Sequence, residues 1–146
     1  MKRLVPIVAA LLVLSACGGA GPAAPAQPAA TVRLAAVPGR PASGYFELPI
    51  EGDPGALLSV TSAQARRIEM HETMSAGNMT SMRPLARVPV TSGGRLTFAP
   101  GGRHLMLYDL DPAIRPGGQI ILVLHFERGP PVSLAFAVTS ASGEAH

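Results

Sequence analysis

The sequence predicts an all-β domain, either a sandwich or a barrel. Its folded part consists of short apolar runs separated by turn signals about every eight to twelve residues, a spacing typical of such folds. With 16 Gly and 15 Pro, the chain holds too many helix breakers for a long helical bundle. At 47% hydrophobic and 14% charged residues, it is too apolar for a disordered chain.

Nine strands are predicted from the apolar runs. They span residues 32–37, 43–50, 56–62, 65–71, 83–90, 94–99, 104–110, 118–127 and 131–139. The clearest turns lie at 51–55, 92–94, 100–102 and 115–118, where Gly permits positive φ and Pro stops ladder pairing. Residues 119–126 are almost continuously apolar, which predicts a strand buried on both faces or a central strand of a two-sheet core.

The N-terminal residues predict export and lipid anchoring. Residues 1–16 combine a basic start, a short apolar run and small residues, as in a cleavable leader. Residues 14–17 resemble the lipobox of bacterial lipoproteins, so Cys17 is the predicted lipidation site. The alternative is an ordinary secretory peptide cut near Ala16, with Cys17 as a bystander. Residues 17–30 predict a flexible linker of Gly, Ala and Pro.

The remaining chain fits one domain, predicted at 31–139 and followed by a flexible tail at 140–146. Lys2 and Arg3 leave with the leader, so 12 basic residues become 10, against 9 acidic residues. This nearly neutral balance gives no basic surface for nucleic acid. Because the chain has a single Cys, it can form neither an internal disulfide nor a thiolate cluster.

His and Met residues are concentrated in one stretch of the chain. Most of the 6 Met and 4 His lie between Met70 and Met106. Alternation in the strand predicted at the end of this stretch turns Leu105 and Leu107 toward the core. His104 and Met106 therefore share the outer face, close enough to converge on one small ion.

A second candidate group begins at the end of an earlier predicted strand. Alternation there turns Ile68 and Met70 inward and His71 outward, and a loop is predicted at 72–82. Imidazole and thioether together form a soft, neutral ligand set, which selects Cu(I) among the common biological metals. Thioethers also suit an exported protein, since they are not lost to disulfide formation.

The spacing of these residues resembles a known family. His71, Met82 and the His104-Leu105-Met106 segment form the pattern H-x10-M-x21-H-x-M of the periplasmic copper(A) chaperones of the PCuAC type, which supply the CuA centre of cytochrome c oxidase. The surrounding segments 68–72, 82–84 and 99–107 also look like that family.

The resemblance implies a cupredoxin-like Greek-key β-sandwich that binds one Cu(I) per chain through His71, Met82, His104 and Met106. It also implies a monomer in the periplasm, with the CuA-bearing oxidase subunit and a Sco-type copper protein as partners. The turn at 51–55 departs from the asparagine-containing turn of the family, which leaves the shape of that loop open. The tail offers only His146, so a second copper site is not predicted.

Several neighbouring residues keep alternative interpretations. Met70 is predicted to fill the core, whereas Met74 and Met79 could cover the ion, act as reserve thioethers or form a partner-facing patch. His125 is predicted to be structural. Glu72 could orient the adjacent imidazole or be a solvated carboxylate. The remaining group of the ligand strand, Tyr108, ends the outer face as a packing or hydrogen-bonding residue.

No motif in the sequence predicts an enzyme. There is no Ser/His/Asp set, no paired carboxylates and no phosphate-binding loop, because the Gly-Gly pairs fall at predicted turns. The predicted function is therefore a membrane-anchored copper chaperone. Two alternatives remain: a copper-buffering protein of the envelope, or a copper-free module whose Met-rich loop docks a protein.

Overall fold

The computed structural model describes residues 29–142 and contains ten β-strands in that range. The predicted leader, Cys17, most of the linker and the end of the tail lie outside the described residues. The strands are β1 (Ala30–Arg33), β2 (Ala42–Pro49), β3 (Ala56–Thr61), β4 (Ala65–Ala76), β5 (Met79–Leu85), β6 (Val88–Pro89), β7 (Arg95–Phe98), β8 (Arg103–Leu110), β9 (Gln119–Phe126) and β10 (Val132–Thr139).

The strands form one open sheet in the order β5-β4-β8-β2-β1-β10-β9-β3-β6, with β7 also paired to β2. The β1–β10 pair is parallel and the other described pairs are antiparallel. Every strand except β5 contributes a buried residue to one continuous hydrophobic cluster. The sheet therefore curls around a shared interior, at whose centre Phe46 stacks on Phe98 and meets the edge of Phe136.

Alternating burial explains most strands of the sheet. In β9, Ile120, Leu122 and Leu124 are fully buried, whereas Ile121 between them is 45% exposed. Of the two predicted alternatives, burial on both faces is therefore wrong, because the strand packs on one face. β9 does lie inside the sheet, between β10 and β3. The sequence of β9 shows no polar alternation because β-branched residues occupy its more exposed positions, such as Ile121, and such side chains also suit a half-exposed strand.

A glycine in β2 allows β8 to lie close beside it. Residues Ala42–Gly44 of β2 pair with β8, and Phe46–Pro49 pair with β7. A Cβ atom at Gly44 would lie 3.1 Å from the Leu105 Cβ, so a larger residue there would push β8 away. This packing anchors the inner face of the strand whose outer face carries two candidate ligands.

The segment predicted as a loop at 72–82 is a β-hairpin. Strand β4 continues to Ala76, and β5 begins at Met79 after a turn in which Gly77 has a φ of 59°. The strand predicted at 83–90 is correspondingly divided between β5 and the short β6. Most of this hairpin is exposed on both faces, so its sequence carries little of the hydrophobic alternation that reveals a strand. Within residues 29–142, no helix is long and apolar enough to cross a membrane.

Candidate metal centre

Four predicted ligands lie on one face of three neighbouring strands. Residues directly opposite each other in an antiparallel pair share a face. His71 of β4 lies opposite His104 of β8, and Met106 lies two residues further along β8. Met82 of β5 lies opposite Thr73, which is two residues beyond His71 on β4. The two imidazoles thus sit side by side, with one thioether toward each end of the strands.

The imidazole rings are placed for a shared ion. Their centroids are 6.0 Å apart with an interplanar angle of 32°. His104 is buried at 7% exposure, and the His71 side chain is only 14% exposed. At this separation one ion can bind a nitrogen of each ring, since bonds from a metal to imidazole nitrogen are about 2.0–2.1 Å long.

Hydrogen bonds indicate which ring nitrogens are free. His104 Nδ1 lies 3.1 Å from the Gly102 carbonyl, and His71 Nε2 lies 3.0 Å from Glu69 Oε2. Because a carbonyl and a carboxylate can only accept, both of these nitrogens carry the hydrogen. His104 Nε2 and His71 Nδ1 therefore keep their lone pairs.

The free nitrogen of His71 has no partner. Among the described residues, His71 Nδ1 is the one buried side-chain nitrogen or oxygen without a hydrogen bond. Leaving such an atom unpaired costs about 1–3 kcal/mol, which an atom that bonds a metal would recover. The donor chemistry and this orphaned atom both fit a bound ion.

Glu69 is a functional candidate that the sequence prediction missed. Its carboxylate accepts from His71 and lies 3.2 Å from the Arg67 guanidinium. The hydrogen bond from His71, helped by the charge of Arg67, holds the pKa of Glu69 below its usual value, so it is an anion at neutral pH. The signal was available, because a residue two before His71 in a strand faces the same side.

Glu72, the alternative proposed from the sequence, faces the other side of the hairpin. Its carboxylate accepts hydrogen bonds from Arg83 Nη2 at 2.8 Å and Nε at 3.1 Å, so it does not orient His71. It sits opposite Arg83 in the β4–β5 register, one residue out of phase with the ligand face. Of the two interpretations of Glu72, the one in which it orients His71 is wrong, because adjacent residues in a strand point to opposite faces.

Tyr108 and Arg67 support the second thioether of the site. The Tyr108 hydroxyl donates to Met106 Sδ at 3.8 Å, and the Arg67 guanidinium lies 4.1 Å from the centroid of the Tyr108 ring. Burial and the nearby Glu69 carboxylate raise the pKa of Tyr108, which keeps the hydroxyl protonated. The same hydroxyl also hydrogen-bonds the Glu69 carboxylate, a stronger acceptor than a thioether, so its long contact with Met106 Sδ leaves the sulfur available as a ligand.

The exposed methionines divide between the two faces of the hairpin. Met82 is 57% exposed on the ligand face. Met74, opposite Ser81, and Met79, opposite Ala76, lie on the other face and are 46% and 78% exposed. The interpretation that Met74 and Met79 cover the ion is therefore wrong. They remain solvent-facing thioethers on the reverse side of the site.

Two other predictions are decided by packing. Met70 is buried at 5% exposure and fills the core as predicted. His125 lies on β9, where its Nε2 is 2.8 Å from the Thr61 hydroxyl, so it is a structural residue away from the site. Across residues 29–142, no group of three or more His, Cys, Asp or Glu side chains is placed to hold a metal ion. The candidate centre thus depends on its thioethers.

The family of the chain follows from a match over most of its length. A family model described as "Putative lipoprotein LpqE-like" matches residues 24–138. The chain belongs to the LpqE-like lipoprotein family. A relative from Leifsonia xyli subsp. xyli (strain CTCB07), described as a putative lipoprotein, is 31% identical over 90 residues, or 60% of this chain and 53% of the relative. The chain therefore spans about half the length of that curated relative.

Solved structures share the fold of this LpqE-like chain. The copper-bound PCuAC domain from PmoF2 matches with a TM-score of 0.61 at 24% identity, over 76% of this chain and 88% of that one. The Cu(I) form of DR1885 from Deinococcus radiodurans matches with a TM-score of 0.61 at 24% identity, over 84% and 83% of the two chains. The predicted cupredoxin-like fold and the PCuAC-type resemblance are confirmed.

Proposed function

We propose that this lipoprotein is a copper chaperone that binds one Cu(I) through His71, Met82, His104 and Met106. The observation that carries the proposal is the pair of facing imidazoles with His71 Nδ1 buried and unpartnered. Each ring has one nitrogen engaged as a hydrogen-bond donor, so each neutral imidazole has one nitrogen left to bind a metal.

Cu(I) fits this donor set better than the other common ions do. Two neutral imidazoles and two thioethers are soft ligands, whereas Zn²⁺ favours thiolate or carboxylate and Ca²⁺ or Mg²⁺ favours oxygen. The protein does no chemistry on the ion, which is its cargo. The LpqE-like family match supports this proposal, as do two structural relatives solved with copper, the PCuAC domain from PmoF2 and the Cu(I) form of DR1885.

Transfer rather than storage is favoured by how the ligands are exposed. His104 is buried, whereas Met82 is 57% exposed on a strand at the edge of the sheet. Breaking the bond to this outermost thioether opens the ion to an incoming ligand while both imidazoles still hold it. Neutral donors also leave the charge of the ion uncompensated, which lowers the barrier to hand-over to an anionic site.

The proposed location rests on the predicted lipid at Cys17, and the proposed recipient rests on the family resemblance. Cys17 would carry the lipid that anchors the domain to a bacterial membrane in the periplasm, in agreement with its lipoprotein family. The proposed recipient is the CuA site of cytochrome c oxidase, with a Sco-type copper protein as collaborator, as the resemblance to the PCuAC-type chaperones implies.

Copper binding is tested by anaerobic competition with a colorimetric Cu(I) chelator, on the soluble form that begins at Gly18. We expect one equivalent, lost in the double variant Met82→Ala with His104→Ala. The matched control is Met74→Ala with His125→Ala, which removes the same two residue types away from the ligand face. Circular dichroism checks that both variants fold. Binding that is absent, or equal in the two variants, would contradict the proposal and favour the copper-free docking module.

Delivery is tested separately in cells grown under copper limitation. Deletion of the gene should lower oxidase activity, and the unaltered gene should restore it while the Met82→Ala, His104→Ala version should not. An unchanged oxidase with less copper in the envelope would instead identify a copper-buffering protein.

A further inference from the structure

Strand β5 leaves one side of its backbone unpaired. It ends the sheet order and, within residues 29–142, pairs with β4 alone. Its residues from Met79 to Pro84 are all exposed. The strand at the opposite end of that order, β6, has only the residues Val88 and Pro89. β5 is therefore the longer of these two end strands, and its unpaired side offers N–H and C=O groups to a partner.

The pairing of β4 shows which residues of β5 face this unpaired side, called the open edge below. The Thr73 N–H donates to the Gly102 carbonyl at 3.0 Å, so the backbone groups of Thr73 are directed away from β5. Thr73 lies opposite Met82. In such an antiparallel pair both residues direct their N–H and C=O groups outward, and the direction alternates along each strand. The N–H and C=O groups of Met82 and Thr80 therefore point to the open edge.

Pro84 agrees with this phase. Because proline has no N–H, its place within a sheet is at an edge, where the N–H side faces solvent. Pro84 lies two residues beyond Met82 and opposite His71, so its backbone also faces the open edge. The β4–β5 ladder loses no hydrogen bond there. The row of outward donors ends at Pro84 and consists of the Thr80 and Met82 N–H groups.

The open edge runs beside the outermost proposed copper ligand. Met82 shares a face with His71 and His104, while its backbone lies at the open edge. A strand added to β5 would lie about 4.7–4.9 Å away, and the residue directly opposite Met82 would share its face. A metal-binding side chain at that position would therefore stand next to the Met82 thioether.

We propose that the protein that receives copper docks an extended segment on the open edge at Thr80 and Met82. The residue that this segment sets opposite Met82 is then its first copper ligand. This inference rests on the proposed copper function and names the kind of partner that the site fits. The segment is a strand with a soft donor, a thiolate, thioether or imidazole, at one position. Main-chain hydrogen bonds supply affinity, and the facing side chain supplies selectivity.

A segment of the recipient fits the open edge better than β5 of a second copy does. If two β5 strands paired around Ser81, Met82 would face Thr80 of the other copy, and a hydroxyl is a poor ligand for Cu(I). If they paired around Met82, Thr80 would face Pro84, which has no N–H to donate. A recipient strand is free of both constraints.

The short row of donors also keeps the contact weak. Pro84 ends the row, and the charged Arg83 beside it discourages longer pairing, as such residues do at natural sheet edges. A small, transient contact is typical of partners that must separate after each exchange. The open edge is thus suited to a recipient that leaves with its copper.

Transfer across this edge exchanges one Cu(I) ligand for another. The bond between Cu(I) and Met82 Sδ breaks as a bond to the incoming donor forms. The copper stays Cu(I), so no oxidant or reductant is needed. Where the donor is a cysteine, its thiol proton is released to water. His71 and His104 hold the ion until the recipient supplies further ligands.

Hydrogen exchange in the copper-free protein tests the docking with two synthetic peptides. Both alternate Thr and Val around one central reduced Cys, with Lys at each end. One is N-methylated at the Cys and at every second residue from it, which blocks the edge that would pair opposite Met82. The other is N-methylated at the intervening residues, which leaves that edge free.

Only the peptide with the free edge should protect the protein. At millimolar concentration it should slow exchange of the Thr80 and Met82 amides by about twofold or more, as measured by NMR. The Ser81 and Arg83 amides, which bond β4, should be unchanged by either peptide. Equal effects of the two peptides, or no protection, would overturn the proposal.

Two substitutions at Thr80 test the same edge from the side of the protein. Thr80→Pro removes an outward N–H that forms no bond to β4, whereas Thr80→Val keeps it. Chelator competition should give both variants the same Cu(I) affinity. Transfer of Cu(I) to the peptide with the free edge should be about tenfold slower from Thr80→Pro. Equal transfer rates would contradict the proposal. If Thr80→Pro also loses affinity, the comparison of the two peptides still decides.

Two other results would identify a different interaction and also overturn the proposal. Protection of Thr80 and Met82 that rises with protein concentration in the absence of peptide would place a second copy on the open edge. Protection by the peptide around the exposed Ile121 of β9 would place docking on another strand. The exchange readout involves no copper, so it is distinct from a failure of Cu(I) binding, which would reject the proposed function.

Discussion

At the scale of single residues, the carboxylate of Glu69 decides which nitrogen of His71 is available. Its hydrogen bond to His71 Nε2 at 3.0 Å fixes that nitrogen as a donor and leaves Nδ1 as the lone-pair atom. Arg67 in turn holds the carboxylate at 3.2 Å. A ligand oriented in this way binds a metal more tightly than a freely rotating ring, because less conformational freedom is lost on binding.

Loss of this carboxylate should therefore weaken copper binding without unfolding the domain. We expect Glu69→Leu to lower the Cu(I) affinity by about tenfold or more, and Glu69→Gln, which keeps an acceptor oxygen, by less. Chelator competition measures both. Glu72→Gln is the control, since Glu72 pairs with Arg83 on the opposite face of the hairpin. If the Glu69 and Glu72 variants bind copper alike, Glu69 does not position His71.

At the scale of elements, the β4–β5 hairpin separates two sets of thioethers. Met82 shares a face with the two imidazoles, whereas Met74 and Met79 face away from them. All three are exposed, so exposure alone does not distinguish a ligand from a bystander. The register does distinguish them, because a shift of one residue moves a side chain to the other face.

The methyl resonances of the methionines should report this division directly. On titration of the ¹³C-methyl-labelled protein with Cu(I) under anaerobic conditions, we expect the Met82 and Met106 signals to shift. Met74 and Met79 should stay in place, as should the buried Met70. Single Met→Leu variants assign the signals. A shift of Met74 or Met79 together with Met82 would mean that the hairpin does not hold the register described above.

The sequence predicted the core strands of this fold well and the hairpin poorly, for one physical reason. Strands such as β8 bury one face, so the alternation of Leu105 and Leu107 with His104, Met106 and Tyr108 was visible. β5 is exposed along nearly its whole length and buries no face. Spacing still selected Met82, which lies on the same face as the two imidazoles, as a candidate ligand, because the pattern H-x10-M-x21-H-x-M does not depend on which element carries it. Spacing places Glu69 on the same face as His71, but it was missed because the hydrogen bond that gives it a role is a contact that spacing does not show.

The turn of the hairpin is a further point at which this element can be tested. Gly77 has a φ of 59°, which costs other residues about 1–2 kcal/mol, with Asn the best tolerated. We expect Gly77→Ala to fray the hairpin and weaken Cu(I) binding a few-fold, with little change in the melting temperature. Gly77→Asn should retain the affinity. An equal loss in both variants would show that the positive φ is not what matters there.

At the scale of the whole molecule, one core supports a site that lies outside it. Leu105 is fully buried and lies between His104 and Met106, so the packing of its side chain fixes the strand that carries both ligands. Leu122 of β9 is equally buried in the same hydrophobic cluster but contributes no residue to the site. Substitutions at these two leucines can therefore distinguish an effect on the stability of the fold from an effect on the positions of the proposed ligands.

Truncation of either leucine should destabilise the domain by a similar amount, yet only one should affect copper. Leu105→Ala and Leu122→Ala each leave a cavity, and we expect urea unfolding to show a loss of about 2–5 kcal/mol in both. Under conditions where both variants remain folded, Leu105→Ala should also lower the Cu(I) affinity, because β8 can then shift and move His104 relative to His71. Leu122→Ala should bind as the unaltered protein does. Equal affinities would mean that the hydrogen bonds of the two imidazoles, rather than the core beneath β8, hold the site in place.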